Sequence, residues 1–368
     1  MKIVEYKPSH IKSVLAFNDR LKKNAIKYKF PENYKSKLFP NYSGNIVYEE
    51  MYLIIDEKEH VRGGYKLKFQ KFYFKGSYLN MGFFHLPLSE GLINKKYNAV
   101  SLMIYRHAIK REKHIFVLGI GGMDEKLAIM LKSFGWGLRL VPFYFRIINL
   151  KNFINNIKYL NKNKFIMFII KICFYSGISK LLLKIYNIIM DRNIISDKRY
   201  DTVEYFDTWA DKIWNEAKNQ YSFISVRDSE TLNMIYPKTN KKFIRIKVFY
   251  RSEIVGWCVL LKTKLLNHKQ FGNMFLGSIV DCLSLKGHED LIIKCAIEYL
   301  TNHKVDLIVT NQSSIIWCKS LRSSAFINGP SNFVFGIPKT LLDNFNNYYE
   351  SFKKFHFNRG DGDGPINL

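Results

Sequence analysis

The chain has 368 residues, of which 47% are hydrophobic and 15% aromatic, and it carries a formal net charge of +26 at pH 7. This length indicates two domains with sizeable cores, and the composition excludes a largely disordered protein. The positive charge favours an anionic ligand, such as a nucleotide, coenzyme A or a nucleic acid, although lysines dispersed over a solvated surface would give the same charge.

The five cysteines form no CxxC pair, and the nine histidines show no spacing typical of metal ligands. We therefore interpret the cysteines as reduced core residues and predict no metal site. The first ten residues, MKIVEYKPSH, lack the apolar stretch of a signal peptide, so a cytoplasmic protein is expected.

The first 150 residues show a mixed pattern of strands and helices. Tyr65, Leu67 and Phe69 alternate with polar residues, which predicts a half-buried antiparallel strand. In chain order the patterns predict a strand and a helix in 1–30, strands at 51–57, 64–76 and 79–88, a helix at 97–111, a buried strand at 114–122, a helix at 124–136 and a strand at 139–150.

The pattern changes after residue 150 and then repeats. Residues 165–190 are apolar and helical in type but interrupted by lysines, so a helical connector is predicted, with a membrane-surface helix or a membrane span as alternatives. The order of elements in the first half then recurs, which indicates an internal duplication. We divide the chain into a first domain at 1–150, a connector at 151–198, a second domain at 199–340 and a polar tail at 341–368.

Residues 115–136 read IFVLGIGGMDEKLAIMLKSFGW, an apolar run followed by a glycine cluster and an amphipathic segment. The cluster lacks the third glycine of a dinucleotide-binding fingerprint. Gly121, Gly122 and Met123 are predicted to form a strand-to-helix turn. Because glycine has no side chain, a ligand could approach the backbone of this turn. Alternatively, the glycines serve only to make the turn tight.

The segments LPLSEGLINKKY, LGIGGMDEKLAIMLKSFGW, VPFYFRI, TNQSSIIWCKSLRSSAFINGPSNFVFGI and RGDGDGPI resemble tandem GNAT acyltransferases of surface-polysaccharide pathways. The resemblance implies an α/β (α+β) fold with two GNAT-like, largely antiparallel sheet units and flanking helices. It also implies transfer of an acetyl or 3-hydroxybutanoyl group from acyl-CoA to the amino group of a nucleotide-linked amino sugar, specifically a dTDP-linked 3-amino-3,6-dideoxyhexose.

The sequence departs from the family pattern at two places. The loop (Q/R)xxGx(G/A), which binds CoA in the family, is replaced by SEGLINKKYNA in the first half and by SLKGHEDLI in the second. The tyrosine that acts as general acid in many members is also missing, since Leu131 and Leu321 fall near its position. Protonation of the leaving thiolate by a tyrosine is therefore not predicted.

The resemblance places the pyrophosphate of acyl-CoA at a helix start, where backbone N–H groups and the helix dipole favour anions. In the second half that helix begins with Glu289 and Asp290, whose carboxylates would repel it. In the first half it begins near Lys95 and Lys96, which are candidate phosphate contacts or merely solvated lysines. The first half is predicted to hold acyl-CoA, and the second half much of the sugar-nucleotide site.

The resemblance implies direct attack of the amine on the thioester in a ternary complex. A backbone N–H of the strand at 83–91 is expected to stabilise the oxyanion, and we assign it to Leu88 or Ser89 because Pro87 has no N–H.

Three residues are candidate bases that remove a proton from the amine. Glu90 is the first choice, His85 the second and Asp281, on the equivalent strand of the second half, the third. Alternatively, Glu90 binds a sugar hydroxyl or caps a turn, and His85 is a core histidine.

Polar residues after the predicted strand at 304–312 are candidate contacts to the acceptor sugar nucleotide. Asn311, Gln312 and Ser313 can recognise sugar hydroxyls or a base edge, although Ser313 also suits a helix cap. Trp317 either stacks on a base or belongs to the core. Arg359, in the tail, either folds over the sugar or is disordered.

Two other functional classes remain open. A FemAB-type enzyme, which transfers amino acids from tRNA, would suit the positive charge, but the long coiled-coil insertion common in that branch is absent from the sequence. A catalytically inactive GNAT-like module that binds nucleic acid or membrane would suit the missing CoA loop. The leading interpretation expects no nucleic-acid partner.

Overall fold

The computed structural model describes residues 1–156, 181, 185 and 197–362. The chain forms two compact units, neither of which is continuous in sequence. The first unit comprises Met1–Arg139 and Val334–Tyr348, and the second comprises Leu140–Phe333 and the chain from Tyr349 onwards.

The first unit contains one mixed sheet with helices on both faces. From one edge to the other its strands are β1 (Lys2–Glu5), β2 (Tyr48–Ile55), β3 (Val61–Phe74), β4 (Ser77–Ser89), β5 (Ile115–Leu118), β15 (Val334–Ile337) and β6 (Gly137–Leu140). The pairs from β1 to β4 and the β5–β15 pair are antiparallel, and β4 and β5 are parallel. The helices are α1 (Ile11–Lys23), α2 (Ala99–Arg111), α3 (Lys126–Ser133) and α9 (Lys339–Leu342).

Apolar side chains on each face of this sheet pack against helices. The side chains of α1 pack on one face together with Met51 and Leu53, and those of α2 pack on the other together with Tyr65 and Leu67. The strand predicted at 64–76 is therefore present as β3, and its apolar residues are buried as predicted. The polar face of β3 is buried as well, since Lys68 is only 2% exposed.

The second unit repeats this architecture. Its sheet has the order β14 (Ile327–Gly329), β7 (Phe143–Ile147), β13 (Leu307–Asn311), β12 (Gly272–Ser284), β11 (Glu253–His268), β10 (Ile244–Tyr250) and β8 (Lys198–Val203). β9 (Phe223–Ser225) and β16 (Phe355–His356) form a short parallel pair. The helices are α4 (Leu150–Asn156), α5 (Thr208–Ala217), α6 (Ser229–Ile235), α7 (Glu289–Asn302), α8 (Ile315–Ser323) and α10 (Tyr348–Phe352). The predicted fold class is confirmed.

The two halves of the chain exchange strands. β15, from the C-terminal half of the chain, pairs with β5 in the first sheet, and β7, from the N-terminal half, pairs with β13 in the second. The structure thus differs from a contiguous division at residues 150 and 340. A strand's apolar pattern indicates that it is buried, but not which sheet supplies its hydrogen-bond partners.

Most of the predicted connector, and the predicted apolar helix at 165–190 except for residues 181 and 185, lie outside the described residues. In the part of the chain that the structure describes, no helix is long and apolar enough to cross a membrane.

Candidate functional site

β4 and β5 run side by side for a short distance and then separate. Their parallel pairing covers only Gly82 opposite Ile115 and Phe83 opposite Phe116. β4 then continues along β3 as far as Ser89, whereas β5 pairs with β15. The first sheet therefore has a wedge between β4 and β5, where the backbone edge of β4 is turned away from β3.

A β-bulge lies in β4 at this wedge. His85 is opposite Lys66 and Leu88 is opposite Gly64, so Leu86 and Pro87 together face the single residue between them on β3. Leu86 has a left-handed backbone conformation, with φ of 50°. Such strain in a non-glycine residue is concentrated at functional sites.

The bulge changes which residue of β4 can supply the backbone N–H expected to stabilise the oxyanion. The N–H of Gly82 donates to His114 O on the β5 side at 2.9 Å. Because N–H directions alternate along a strand, Leu86 presents its N–H at the same edge, beyond the last β4–β5 pair. Leu88 instead lies opposite Gly64 of β3, and the Ser89 hydroxyl accepts a hydrogen bond from Gly91 N. Leu86 is thus better placed than the expected Leu88 or Ser89.

A buried polar cluster lies beside the bulge. His85 Nε2 is 2.8 Å from Glu49 Oε1, and Lys66 Nζ is 2.7 Å from Glu49 Oε2. The imidazole stacks on Phe83, with ring centroids 4.6 Å apart. Burial raises the pKa of Glu49, but the hydrogen bond and charge of His85 and the ammonium group of Lys66 outweigh it and lower that pKa to about 2. Glu49 is therefore ionised at neutral pH.

Glu90, the first candidate base, is held by two arginines. Arg20 donates to Oε1 and Oε2 at 2.9 Å each, and Arg62 Nη1 lies 3.0 Å from both oxygens. The carboxylate is 4% exposed. Since both oxygens are engaged by guanidinium groups, the structure does not support Glu90 as a base and gives it the role of fixing the end of β4.

The expected phosphate contacts lie at the start of α2. Lys95 and Lys96 are exposed on the 3₁₀ turn Lys95–Tyr97, and the first turn of α2 contains no acidic residue. The start of α7 in the second unit differs, because Glu289 is buried there and its Oε2 accepts a hydrogen bond from Gly287 N at 3.1 Å. The contrast in charge expected between the two helix starts is therefore present.

The glycine cluster forms the turn between β5 and α3. Gly121 has φ of 92° and would place a Cβ 2.8 Å from Glu125 Cγ, so this position requires glycine. A Cβ on Gly122 would meet nothing within 4 Å. Met123 is partly buried beside it. The space at Gly122 is compatible with the interpretation that a ligand approaches the backbone here.

The second unit has a similar wedge, but its own chain fills it. β12 and β13 pair only as far as Ser278 opposite Val309, and the register of β12 shifts at Val280. The C-terminal segment 355–361 lies along both separated strands. On the β12 side, His356 Nε2 is 2.9 Å from Cys282 O and Asn358 Nδ2 donates to Asp281 Oδ1. On the β13 side, Phe357 N donates to Ser313 Oγ and Ser313 N donates to Phe357 O, just after β13 ends.

Asp281, the third candidate base, belongs to a buried network that anchors this segment. Arg227 Nε donates to Asp281 Oδ1 at 2.9 Å, Tyr236 donates to Oδ2 at 2.9 Å, and Arg227 also binds Asp361. Burial raises the pKa of Asp281, against the opposing effect of Arg227. Asp281 is 2% exposed, so the structure gives it an anchoring role rather than that of a base.

The expected acceptor contacts fall into two groups. Gln312, Ser313 and Trp317 are buried, and Trp317 Nε1 donates to the Tyr221 hydroxyl at 2.9 Å, so Trp317 is a core residue and does not stack on a base. Asn311 and Arg359 are brought together instead, with Arg359 Nε donating to Asn311 Oδ1 at 3.0 Å.

Sequence reasoning missed Glu49 and Lys66. Both signals were present: Glu49 is a carboxylate next to the apolar run MYLII, and Lys66 belongs to the polar face of a strand whose other face is apolar. A polar strand face normally indicates solvent exposure, and only the tertiary structure shows that this one is buried.

Comparisons with known proteins establish the fold. Neither protein-family models nor curated proteins give a significant match to the sequence. The structure is similar to a GCN5-related N-acetyltransferase from Anabaena variabilis ATCC 29413, with a TM-score of 0.53, 8% identity and coverage of 91% of this chain and 72% of that one. It is also similar to a tandem GNAT protein from the clavulanic acid biosynthesis pathway, with a TM-score of 0.50, 10% identity and coverage of 91% and 97%.

A third similar structure is Saccharomyces cerevisiae N-myristoyltransferase with bound myristoyl-CoA and inhibitors, with a TM-score of 0.50, 9% identity and coverage of 92% of this chain and 79% of that one. At these identities the likeness concerns the fold, which is a tandem of two GNAT-like units.

Proposed function

We propose that this protein is an acyl-CoA-dependent N-acyltransferase whose first unit binds the donor in the wedge between β4 and β5. The observation that carries the assignment is the filling of the second wedge by the chain's own segment 355–361, which hydrogen-bonds to β12 and to Ser313 just after β13. The carboxylate of Glu289 at the second unit's helix start also disfavours a pyrophosphate there. Both features leave the donor to the first unit.

In this proposal the pantetheine arm lies along the edge of β4 that faces away from β3, and the N–H of Leu86 donates to the thioester carbonyl as it becomes an oxyanion. One donor of this kind is worth about 3 kcal/mol of transition-state stabilisation. The exposed Lys95 and Lys96 are placed to contact the phosphates, and the turn at Gly122 leaves room beside β5.

His85 is the base of the proposed reaction. The amine must be neutral to attack, and the imidazole takes its proton. When Nε2 donates to Glu49, the neutral ring carries its lone pair on Nδ1, and the ionised carboxylate stabilises the imidazolium that forms. The neutral amine then attacks the thioester carbon and the C–S bond breaks. The proton that the nitrogen loses on becoming an amide goes to the departing thiolate, so that CoA leaves as the free thiol, and the imidazolium returns its proton to solvent.

The acceptor proposed from the sequence resemblance is a dTDP-linked 3-amino-3,6-dideoxyhexose, and the acyl group is acetyl or 3-hydroxybutanoyl. The test is release of free thiol from acetyl-CoA or 3-hydroxybutanoyl-CoA in the presence of a panel of dTDP- and UDP-linked amino sugars. Turnover with one pair identifies both substrates. No thiol release with any pair, together with binding of RNA or lipid vesicles, would reject the acyltransferase in favour of a binding module.

Variants test the base on the productive pair. We expect His85→Asn to lower kcat by about 10²- to 10⁴-fold, and Glu49→Gln to lower it by less, since the imidazole remains. The matched control is His114→Asn, because His114 also lies near a carboxylate, 3.7 Å from Glu112, but outside the cluster. Equal activity of His85→Asn and His114→Asn would show that His85 is not the base.

A further inference from the structure

Arg359 has a backbone position that is fixed by its neighbours. It begins the 3₁₀ turn Arg359–Asp361, in which Asn358 Oδ1 accepts a hydrogen bond from Gly360 N at 3.0 Å and Asp361 Oδ2 accepts one from Asn358 N at 2.8 Å. Asp361 is itself bound by Arg227, at 3.0 Å. The turn is therefore anchored in the core of the second unit.

The side chain of Arg359 is held at one end only. Its Nε donates to Asn311 Oδ1 at 3.0 Å, and Asn311 is a 2% exposed residue at the end of β13. This bond directs the Nε–H of the guanidinium group towards the end of β13. The two terminal nitrogens, Nη1 and Nη2, have no protein acceptor within the described ranges.

Arg359 also has no counter-ion among the described residues. The other arginines discussed above pair with carboxylates: Arg227 with Asp281 and Asp361, and Arg20 and Arg62 with Glu90. Arg359 is partly buried, and burial lowers its pKa to about 10, so that the group is still charged at neutral pH. A partly buried charge with no counter-ion among the described residues is unfavourable, and an anionic ligand would relieve that cost.

We propose that Arg359 and Asn311 form an anion subsite that binds a phosphate or diphosphate group of the acceptor. A guanidinium whose Nε is tethered presents its terminal N–H groups as a fork, which matches phosphate oxygens in a bidentate manner. The identification of the anion as the diphosphate of a sugar nucleotide rests on the proposed function. The chemistry of the subsite, a planar cationic fork fixed on the second unit, rests on the contacts alone.

Binding measurements on the full chain test the proposal without turnover. The probes are inorganic pyrophosphate, dTDP and CoA, titrated by calorimetry into the wild type, Arg359→Gln and the control Arg251→Gln, an exposed arginine of the same unit. We expect Arg359→Gln to raise the Kd of dTDP and pyrophosphate about ten- to hundredfold, as for a lost charge-assisted hydrogen bond. The Kd of CoA stays unchanged, and the control behaves as the wild type.

The Tm of the ligand-free protein separates a binding role of Arg359 from a structural role, because the two roles predict opposite changes in the Tm of Arg359→Gln. Removing an uncompensated charge leaves the Tm of Arg359→Gln equal to or above that of the wild type, whereas breaking an ion pair would lower it. Asp363→Asn is a second control, because Asp363 is a carboxylate nearby in sequence that lies outside the described residues. It should leave dTDP binding unchanged.

Three results would overturn the proposal. The first is an unchanged Kd of dTDP and pyrophosphate in Arg359→Gln. The second is a loss of CoA binding in that variant, which would mean that Arg359 contacts the donor. The third is a lowered Tm of Arg359→Gln that Asp363→Asn reproduces. The proposed function fails separately: if dTDP binds through Arg359 but no acyl-CoA releases thiol with any amino sugar, the subsite stands and the acyltransferase does not.

Discussion

Replacing Arg227 by methionine should strongly destabilise the second unit. The Arg227 side chain is 1% exposed, and its guanidinium group donates to three different residues. Nε binds Asp281 at 2.9 Å, Nη2 binds both oxygens of Asp361 at 3.1 and 3.0 Å, and Nη1 binds the carbonyl and hydroxyl oxygens of Ser225 at 3.0 and 2.6 Å. Methionine fills a similar volume but makes none of these bonds, so two buried carboxylates lose their cation.

The expected loss follows from the burial of the pairs. Breaking a buried ion pair by removing one partner costs about 3–5 kcal/mol, because the remaining charge is left uncompensated. This is a large part of the roughly 5–15 kcal/mol by which proteins are usually stable. The segment that carries Asp361 should also become accessible, since Arg227 is one of its anchors.

Urea denaturation of the wild type and the variant measures the loss, and limited proteolysis reports release of segment 355–361. The control is Arg245→Met, because Arg245 is also buried but donates to the carbonyl oxygens of Tyr236, Pro237 and Phe243. It should cost about 1–3 kcal/mol.

A double variant, Arg227→Met with Asp281→Asn, removes one of the stranded carboxylates and should lose less than the sum of the single changes. The reasoning is refuted if Arg227→Met costs no more than Arg245→Met, or if the double variant is simply additive.

Two further predictions concern the first unit. The pKa of Glu49 is lowered from 4.5 to about 2 on folding, so its ionised form stabilises the protein above pH 4.5, and about 3 kcal/mol is lost as the pH falls towards 2. Urea titrations at pH 6 and pH 3 should therefore show a weaker acid dependence in Glu49→Gln, and an identical dependence would contradict the electrostatic argument. Gly336→Ala would place its Cβ 2.4 Å from Leu138 Cδ2 and should cost about 1–3 kcal/mol, whereas Gly122→Ala, with nothing within 4 Å, should be neutral. Comparable Tm values for the two glycine variants would show that β15 is not tightly packed.

The candidate bases in the site were only partly predictable from the sequence. The importance of the strand at 79–88 followed from its pattern and from the family resemblance, and His85 remains a candidate base. Glu90 was preferred because it ends that strand, but its partners, Arg20 and Arg62, lie 70 and 28 residues away in sequence. Ion-pair partners at such separations leave no local pattern, so the clamp on Glu90 was not predictable.

The sequence by itself indicated most of the elements and the duplication, although the single strand predicted at 139–150 is two strands, β6 and β7. Hydrophobic periodicity is a local property, and it correctly indicated the apolar face of β3 and the helix at 97–111, which buries Val100, Ile104 and Ala108. Only the tertiary structure decided three things: that β7 and β15 are exchanged, that the segment 355–361 fills the second wedge, and that Glu49 reaches His85. Each depends on which distant backbone or charged group completes a hydrogen bond, and the free energy of that choice is set by the folded environment rather than by neighbours in the chain.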